Sequence, residues 1–376
     1  MKRIQLVIAI AMLIVIVISG CTQTPAGQVV KEDTIKIGVI GTFTGVGAYH
    51  GQQERRGVEI AKDEINAAGG INGKKIELIY EDTRTDPKTA VSAVNKLISV
   101  DDVKYIIGDS WASTTVVLLP TTNNNKVIMI SGIAMLESMS KDDYFFRTVP
   151  SVKTMMQVLA EYAYNELGSR RAGSIISATP YGEEHNYYFK QAFEKLGGEI
   201  VMEQVTELIQ KDVRTELLKL RNAKVDTVIN LHTSGLVGIP MKQAKETEFK
   251  PIWLAHFGSQ TEQLITDYGG WSNGLVYPYP YDSESEDESV KNFIMKYKVT
   301  YNEIPDMTAA NSYDALKVLA YAIENVGEDT DDIKEFLVTV KDFPGASGKF
   351  SFDKNGDVEK EILIKKVENR EFVRVG

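Results

Sequence analysis

From Thr34 onward the chain alternates short apolar runs with helix-length amphipathic stretches, and this alternation limits the fold more than any single motif. Strands are predicted over residues 35–40, 76–80, 105–107, 127–130, 173–177, 227–231, 251–254 and 274–277. Helices are predicted over 52–67, 87–99, 115–123, 152–167, 183–196, 213–221 and 238–247. The strand runs are nearly continuous in apolar residues, the mark of strands covered on both faces. Strands separated by helices then mean a parallel sheet wrapped by helices. The fold class is therefore α/β with doubly wound parallel sheets. Late in the chain the order changes. Three helices follow one another near 288–300, 308–325 and 331–340, and a β segment closes the chain over 348–352, 361–367 and 372–375. Asn355-Gly356 inside that segment is a hairpin signal, because both residues tolerate positive φ.

A chain of 376 residues exceeds the roughly 250–300 at which a single core stops growing, so two lobes are expected. Three stiff or extended breaks divide it: Val149-Pro150-Ser151, the Tyr-Pro alternation from Tyr277 to Tyr281, and Phe343-Pro344-Gly345. They suggest three passages between lobes. Lobe 1 is then 34–149 with 281–343, and lobe 2 is 150–280 with 344–376.

Asp and Glu number 52 against 42 Lys and Arg, a formal charge of −10. An acidic body argues against nucleic acid, whose phosphates call for clustered cations. Beyond the N-terminus no apolar stretch is long enough to cross a bilayer. At the N-terminus, Lys2 and Arg3 precede an apolar run over 4–18 broken only by Gln5, followed by Ser19, Gly20 and Cys21. This is the three-part form of an export signal. Its core of ~15 residues is short of the ~20 needed to span a membrane. Cys21 is the only cysteine.

The catalytic and metal motifs are weak. Gly41, Gly45, Gly47 and Gly51 follow the first strand, but His50 stands where a dinucleotide fingerprint needs its third glycine. No cofactor is implied. Asp353, Asn355 and Asp357 begin like a calcium loop, yet glycine falls at the fourth position and Ile364 at the twelfth, so a hairpin turn is the better reading. His50, His185, His232 and His256 show no zinc spacing. Ser110, Ser113, Ser131 and Ser234 lie past strand ends without a nucleophile elbow.

Ile18-Ser19-Gly20-Cys21 resembles the lipobox of exported lipoproteins. That implies a signal over 1–20, a lipid-carrying Cys21 and a flexible polar tether over 21–33. An ordinary signal peptide or an anchor helix with a chance cysteine is the alternative; each places the body outside the cytoplasm. Further along, residues 35–45, the run from Gly57 through 63–75, Glu81-Asp82 with 86–91, 146–151, Tyr181-Gly182, 312–315, and 348–353 with 355–357 together resemble the leucine/isoleucine/valine-binding protein family. The resemblance covers Thr34 to the C-terminus. It implies a type I periplasmic-binding-protein fold, two lobes closing on a small solute, no covalent chemistry, a membrane ABC permease as partner and a monomeric state. A sensing receptor and an exported hydrolase on a similar fold are the rivals.

By the resemblance, the first lobe holds a ligand carboxylate on segments matching Ser110, Trp111, Ala112 and Ser113, and on Ala134 and Met135. Tyr49 and Tyr181 match aromatic residues of the two walls. Four positions depart from the pattern. The carboxylate serine falls on Ala112 and the next hydroxyl on Met135. The acid that pairs with a ligand ammonium falls on Phe257. The second-lobe aromatic falls on Thr233 or Ser234. A buried ammonium without a partner costs several kcal/mol. The expected ligand is therefore a small, partly apolar or aromatic molecule, acids included, without a free ammonium.

Overall fold

The computed structural model describes residues 33–376 apart from 46, 140, 142 and 233, and leaves the side chain of Ser234 undescribed. The expected export signal, Cys21 and the expected tether up to residue 32 lie outside the described residues.

The first lobe is built from β1 (Thr34–Gly41), α1 (Ala48–Ala67), β2 (Lys75–Asp82), α2 (Pro87–Ser99), β3 (Tyr105–Gly108), α3 (Ala112–Asn124), β4 (Ile128–Ser131) and β5 (Phe145–Arg147). The strands lie in the order β2-β1-β3-β4-β5, with parallel pairing between β1 and β3, β3 and β4, and β4 and β5. Side chains alternate across a strand, so this sheet feeds two cores. Ile106 and Met129 point to a face packed with Ala93, Val94 and Leu97 of α2 and Leu118 of α3. Tyr105, Ile107, Ile128 and Ile130 point to the other face, against Val58, Ala61 and Ile65 of α1. β3 and β4 are buried throughout, as doubly covered strands must be.

The second lobe comprises α4 (Val152–Asn165), β6 (Arg171–Ser177), α5 (Pro180–Lys195), β7 (Glu199–Thr206), α6 (Arg214–Asn222), β8 (Thr227–Leu231), α7 (Gly238–Glu246), β9 (Ile252–Ala255), α8 (Glu262–Tyr268) and β10 (Leu275–Tyr279). The chain returns to the first core through α9 (Glu288–Tyr301), α10 (Met307–Val326), α11 (Thr330–Leu337), β11 (Phe343–Gly345), β12 (Gly348–Phe352) and β13 (Val358–Lys360), and ends with β14 (Leu363–Glu368) and β15 (Glu371–Arg374). The second sheet runs β15-β14-β10-β9-β8-β6-β7. It is parallel from β7 to β10 and antiparallel at β14 and β15. The architecture is the two-lobed, three-crossing α/β fold. α10 packs on α1, and Gly57 allows the approach: a Cβ there would stand 2.1 Å from the Ala309 carbonyl oxygen.

The third passage differs from the sequence pattern. Residues 344–360, assigned above to lobe 2, stay with lobe 1: Phe350, Phe352 and Val358 are buried among Ile35, Ile37 and Leu319. The chain leaves only at 361–362, between β13 and β14. Hydrophobic burial decides the outcome, since both phenylalanines on β12 complete the first core. Buried polar groups fix the segment. Asp314 accepts hydrogen bonds from the backbone N–H groups of Ala346 and Ser347 and from the Ser347 hydroxyl. Lys360 Nζ donates to Asn311 Oδ1 at 2.6 Å and to Ser347 Oγ at 2.8 Å. Burial pushes Asp314 up and Lys360 down, and their mutual attraction opposes both shifts. Arg147, fully buried, joins β5 to the β12–β13 turn by an ion pair from Nε to Asp357 Oδ1 at 2.6 Å, and also donates to the Leu136 carbonyl at 2.8 Å.

Candidate functional site

In open parallel sheets, ligands sit beyond the carboxyl ends of the strands. On the first lobe this edge carries the loops after β1, β3 and β4. Asp82 shapes the first of them: its Oδ1 accepts from Phe43 N at 3.0 Å, Thr44 N at 3.3 Å and Arg84 N at 2.9 Å, and its Oδ2 from the Thr44 hydroxyl at 2.6 Å. Partial burial works against ionisation, but these bonds hold the Asp82 carboxyl below its ordinary range. Tyr49 at the start of α1 is 61% exposed. Its ring meets His50 edge-on at 5.4 Å, and His50 lies 6.2 Å from Trp111.

The Ser110–Ser113 segment opens α3. Ser110 is buried and faces inward: its Oγ accepts from Thr42 N at 3.0 Å and pairs with Thr42 Oγ1 at 3.0 Å. Its hydroxyl therefore ties two loops together. Trp111 is the N-cap of α3, and no side chain caps that helix. A tryptophan offers no oxygen to the first-turn N–H groups, so the positive end of the helix keeps its capacity for an anion at Ala112 and Ser113. The loop after β4 is braced in the same way. Ser131 Oγ donates to the Asp109 carbonyl at 3.0 Å and accepts from Ile133 N at 3.3 Å and Ala134 N at 3.0 Å. Ala134 and Met135 are buried, and Met135 packs in the core with Val149, Val152 and Met155. In this conformation the Ala134 N–H is taken by Ser131 and the Met135 side chain serves the core.

The second lobe contributes a tight aromatic group. The Tyr181 ring lies 4.0 Å from His185, 5.5 Å edge-on from His256 and 6.4 Å edge-on from Phe257. His256 is buried and fully bonded. Nε2 donates to the His232 carbonyl at 3.2 Å, leaving Nδ1 to accept from Gly258 N at 3.2 Å and the Tyr181 hydroxyl at 3.3 Å. Burial lowers its pKa to about 4, so it is neutral and orients Tyr181. His185, one turn after Tyr181 on α5, donates from Nδ1 to the Tyr181 carbonyl at 2.8 Å. Burial, and then the charge of His256, lower it to about 3. Phe257 stands half-buried beside them. Thr233 lies outside the described residues; Ser234 begins a short 3-10 turn through Leu236.

Two site residues escaped the sequence reading. His185 could have been found from its four-residue spacing from Tyr181, which puts both on one helix face. Asp306 could not, since Pro305-Asp306 reads only as a helix start. Its Oδ1 does cap α10, accepting from Ala309 N at 3.0 Å. Its carboxylate also acts on Tyr49, His50, Tyr279 and Tyr281. Among the described residues, no three His, Cys, Asp or Glu side chains gather as a metal would require.

The two-lobed α/β fold is that of solute-binding proteins, with an uncapped helix terminus beyond the strand ends of one lobe and an aromatic group on the other. Residues 34–371 match the periplasmic binding protein family, and the chain belongs to it. It is 27% identical over 337 residues to the leucine-, isoleucine-, valine-, threonine- and alanine-binding protein of Pseudomonas aeruginosa, covering 89% of this chain and 90% of that one. Its fold matches a leucine-binding protein from Thermotoga maritima with TM-score 0.83 and 25% identity, over 91% of this chain and 98% of the other. It also matches an ABC-transporter solute-binding protein from Rhodopseudomonas palustris in complex with 3,4-dihydroxybenzoic acid, with TM-score 0.76 and 25% identity, over 90% and 94% of the two chains.

Proposed function

We propose that this protein captures a small aromatic or apolar carboxylate outside the cytoplasm and presents it to an ABC permease. The observation that carries the reading is the pairing of an uncapped α3 N-terminus beside Trp111 with the packed rings of Tyr181, His256 and Phe257, none of them acidic. The first suits an anion; the second offers nothing to an α-ammonium. The relative that binds 3,4-dihydroxybenzoic acid supports the same class. Ala112 and Ser113 would offer N–H groups, Trp111 and Tyr49 one apolar face, and Tyr181 and Phe257 the other.

The test is a thermal-shift screen with benzoate, 4-hydroxybenzoate, 3,4-dihydroxybenzoate, leucine and valine. A ligand at ~100 times its Kd adds about 2.7 kcal/mol, enough to raise the midpoint by several degrees. Aromatic acids should shift it and leucine should not. A second reading rests on Asp306, largely buried beside Tyr49 and His50: an amino compound could place its ammonium there. A leucine or valine shift that disappears in Asp306→Asn would favour it over the first.

We also propose that the chain is exported and held at the membrane through a lipid on Cys21. Cys21→Ala should move the protein from the membrane fraction to the soluble extracytoplasmic fraction. Unchanged fractionation would remove the anchor.

A further inference from the structure

Two carboxyls lie buried together behind the proposed anion segment. Glu54, on the inner face of α1, is 1% exposed, and Asp109, directly after β3, is wholly buried. The strand ends leave room for Glu54 because they carry no side chain. A Cβ on Gly41 would stand 2.7 Å from its Oε2, and one on Gly108 would stand 2.8 Å from its Oε1. None of the four carboxyl oxygens has a well-formed hydrogen bond, and the buried Thr83 hydroxyl lacks one too. Glu54 feels the charge of Asp109 and the hydroxyl of Ser110. Asp109 feels the hydroxyls of Thr114 and Thr83 and the N–H groups of Ser110 and Trp111. No lysine, arginine or histidine stands among these strongest interactions. Burial first, and for Glu54 then the charge of Asp109, push both carboxyls up, Asp109 to about 7.

Asp109 is coupled to the anion segment in two ways. Its carbonyl accepts from the hydroxyls of Thr115 at 3.3 Å and Ser131 at 3.0 Å, joining the loops after β3 and β4. Its carboxylate, when ionised, also draws on the Ser110 and Trp111 N–H groups at the foot of α3. An ionised Asp109 thus opposes a second anion at the same helix end by charge repulsion. A protonated one does not. We propose that the Glu54–Asp109 pair is a proton-carrying element of the binding site, and that capture of an anionic ligand at the α3 N-terminus is accompanied by proton uptake from solvent onto a carboxylate oxygen of this pair. The coupling rests on the anionic-ligand reading above; the proton on the pair does not.

Linkage makes the coupling reciprocal: if the ligand favours the protonated pair, Kd must weaken as pH rises through its titration, up to about tenfold per pH unit. Two measurements separate the parts. The first is the infrared spectrum of the ligand-free protein near pH 6, where a buried protonated-carboxyl band should be present and should diminish in Glu54→Gln and Asp109→Asn. Absence of that band in the wild type, with or without a midpoint raised by added calcium, overturns the proposal, because the pair is then ionised or bridged by a cation. The second is calorimetry with 4-hydroxybenzoate near pH 7.5 in phosphate and in Tris. The apparent enthalpy should differ between buffers in the direction of proton uptake, and Kd should weaken toward pH 9. Binding with equal enthalpy in both buffers and constant Kd overturns the coupling while leaving the ligand class intact. No binding by any acid of the thermal-shift panel, with the carboxyl band present, overturns the ligand class and the coupling with it.

Discussion

At the residue scale, the aromatic group of the second lobe depends on neutral imidazoles. His256 is held at about 4 and His185 at about 3, both chiefly by burial. The folded values lie below the unfolded 6.5, so above pH 6.5 neither state is protonated and neither group affects stability. As pH falls below 6.5 the unfolded chain takes up protons that the native state refuses, and stability drops until pH passes the folded values. At about 1.4 kcal/mol per unit, each histidine costs roughly 3–5 kcal/mol at the acid end. Asp109 works in the opposite sense, since its folded value near 7 lies above 3.8. It favours the native state at low pH, and that stabilisation fades as pH rises from 3.8 to 7. A difference measurement isolates the imidazole. His256→Gln should be less stable than wild type at pH 7, because it disturbs the bonds to the His232 carbonyl and to Tyr181. That gap in denaturation midpoint should narrow or reverse by pH 4.5. Parallel profiles would show that His256 is not held neutral. Sequence alone pointed to Tyr181 because it falls on a matching motif, and to Phe257 because it stands where the family pattern has an acid. It could not reveal Glu54, which sits on a helix 55 residues before Asp109 and reads as one more solvent-facing acid until Gly41 and Gly108 are seen to make room for it.

At the element scale, the parts legible in the sequence are those whose burial leaves a local pattern. β3 and β4 are continuous apolar runs because both faces are covered, and α2 announces its start through Asp86, whose carboxylate accepts from Thr89 N at 2.8 Å ahead of Pro87. β7 escaped because it lies at the edge of the second sheet, only half-covered along most of its length, and α8 because seven residues carry little periodicity. The third passage was displaced for a different reason. β13 and β14 run on with only Glu361 and Ile362 between them, and no proline or glycine marks the change of sheet. Arg147 reports where that change occurs. Its ion pair with Asp357 holds the β12–β13 turn against β5, and breaking a buried ion pair costs about 3–5 kcal/mol. Arg147→Ala should lower unfolding stability by that amount, and hydrogen exchange should rise first in β12 and β13. Uniform exchange across β14 and β15 instead would place the turn with the second lobe.

At the scale of the whole molecule, the same connections that hold the lobes also limit how they move. Three short passages, at 148–151, 280–287 and 361–362, leave rotation about the crossings as the available motion. The first and third are pinned on the lobe 1 side, by the Thr148 hydroxyl on the Asn311 carbonyl at 2.8 Å and by Lys360 on Asn311 Oδ1 and Ser347 Oγ. Helix α10 supplies Asn311 to both, so one rigid element anchors two of the three strands of the hinge. Hinge closure of this kind lets a ligand that touches both walls select the closed arrangement by its differential affinity. A ligand confined to one wall has no such leverage. Trp111 and Ala112 on lobe 1, and Tyr181 and Phe257 on lobe 2, are therefore expected to act as a unit. Saturating the protein with an aromatic acid that shifts its melting midpoint should lower the radius of gyration measured by solution scattering. Phe257→Ala should weaken the ligand and reduce that compaction together, while Lys360→Met should loosen the pin and alter compaction more than the first-wall contacts. A ligand that raises the midpoint with no change in the scattering curve would mean that it is held by one wall alone, and closure would no longer be the signal a permease reads.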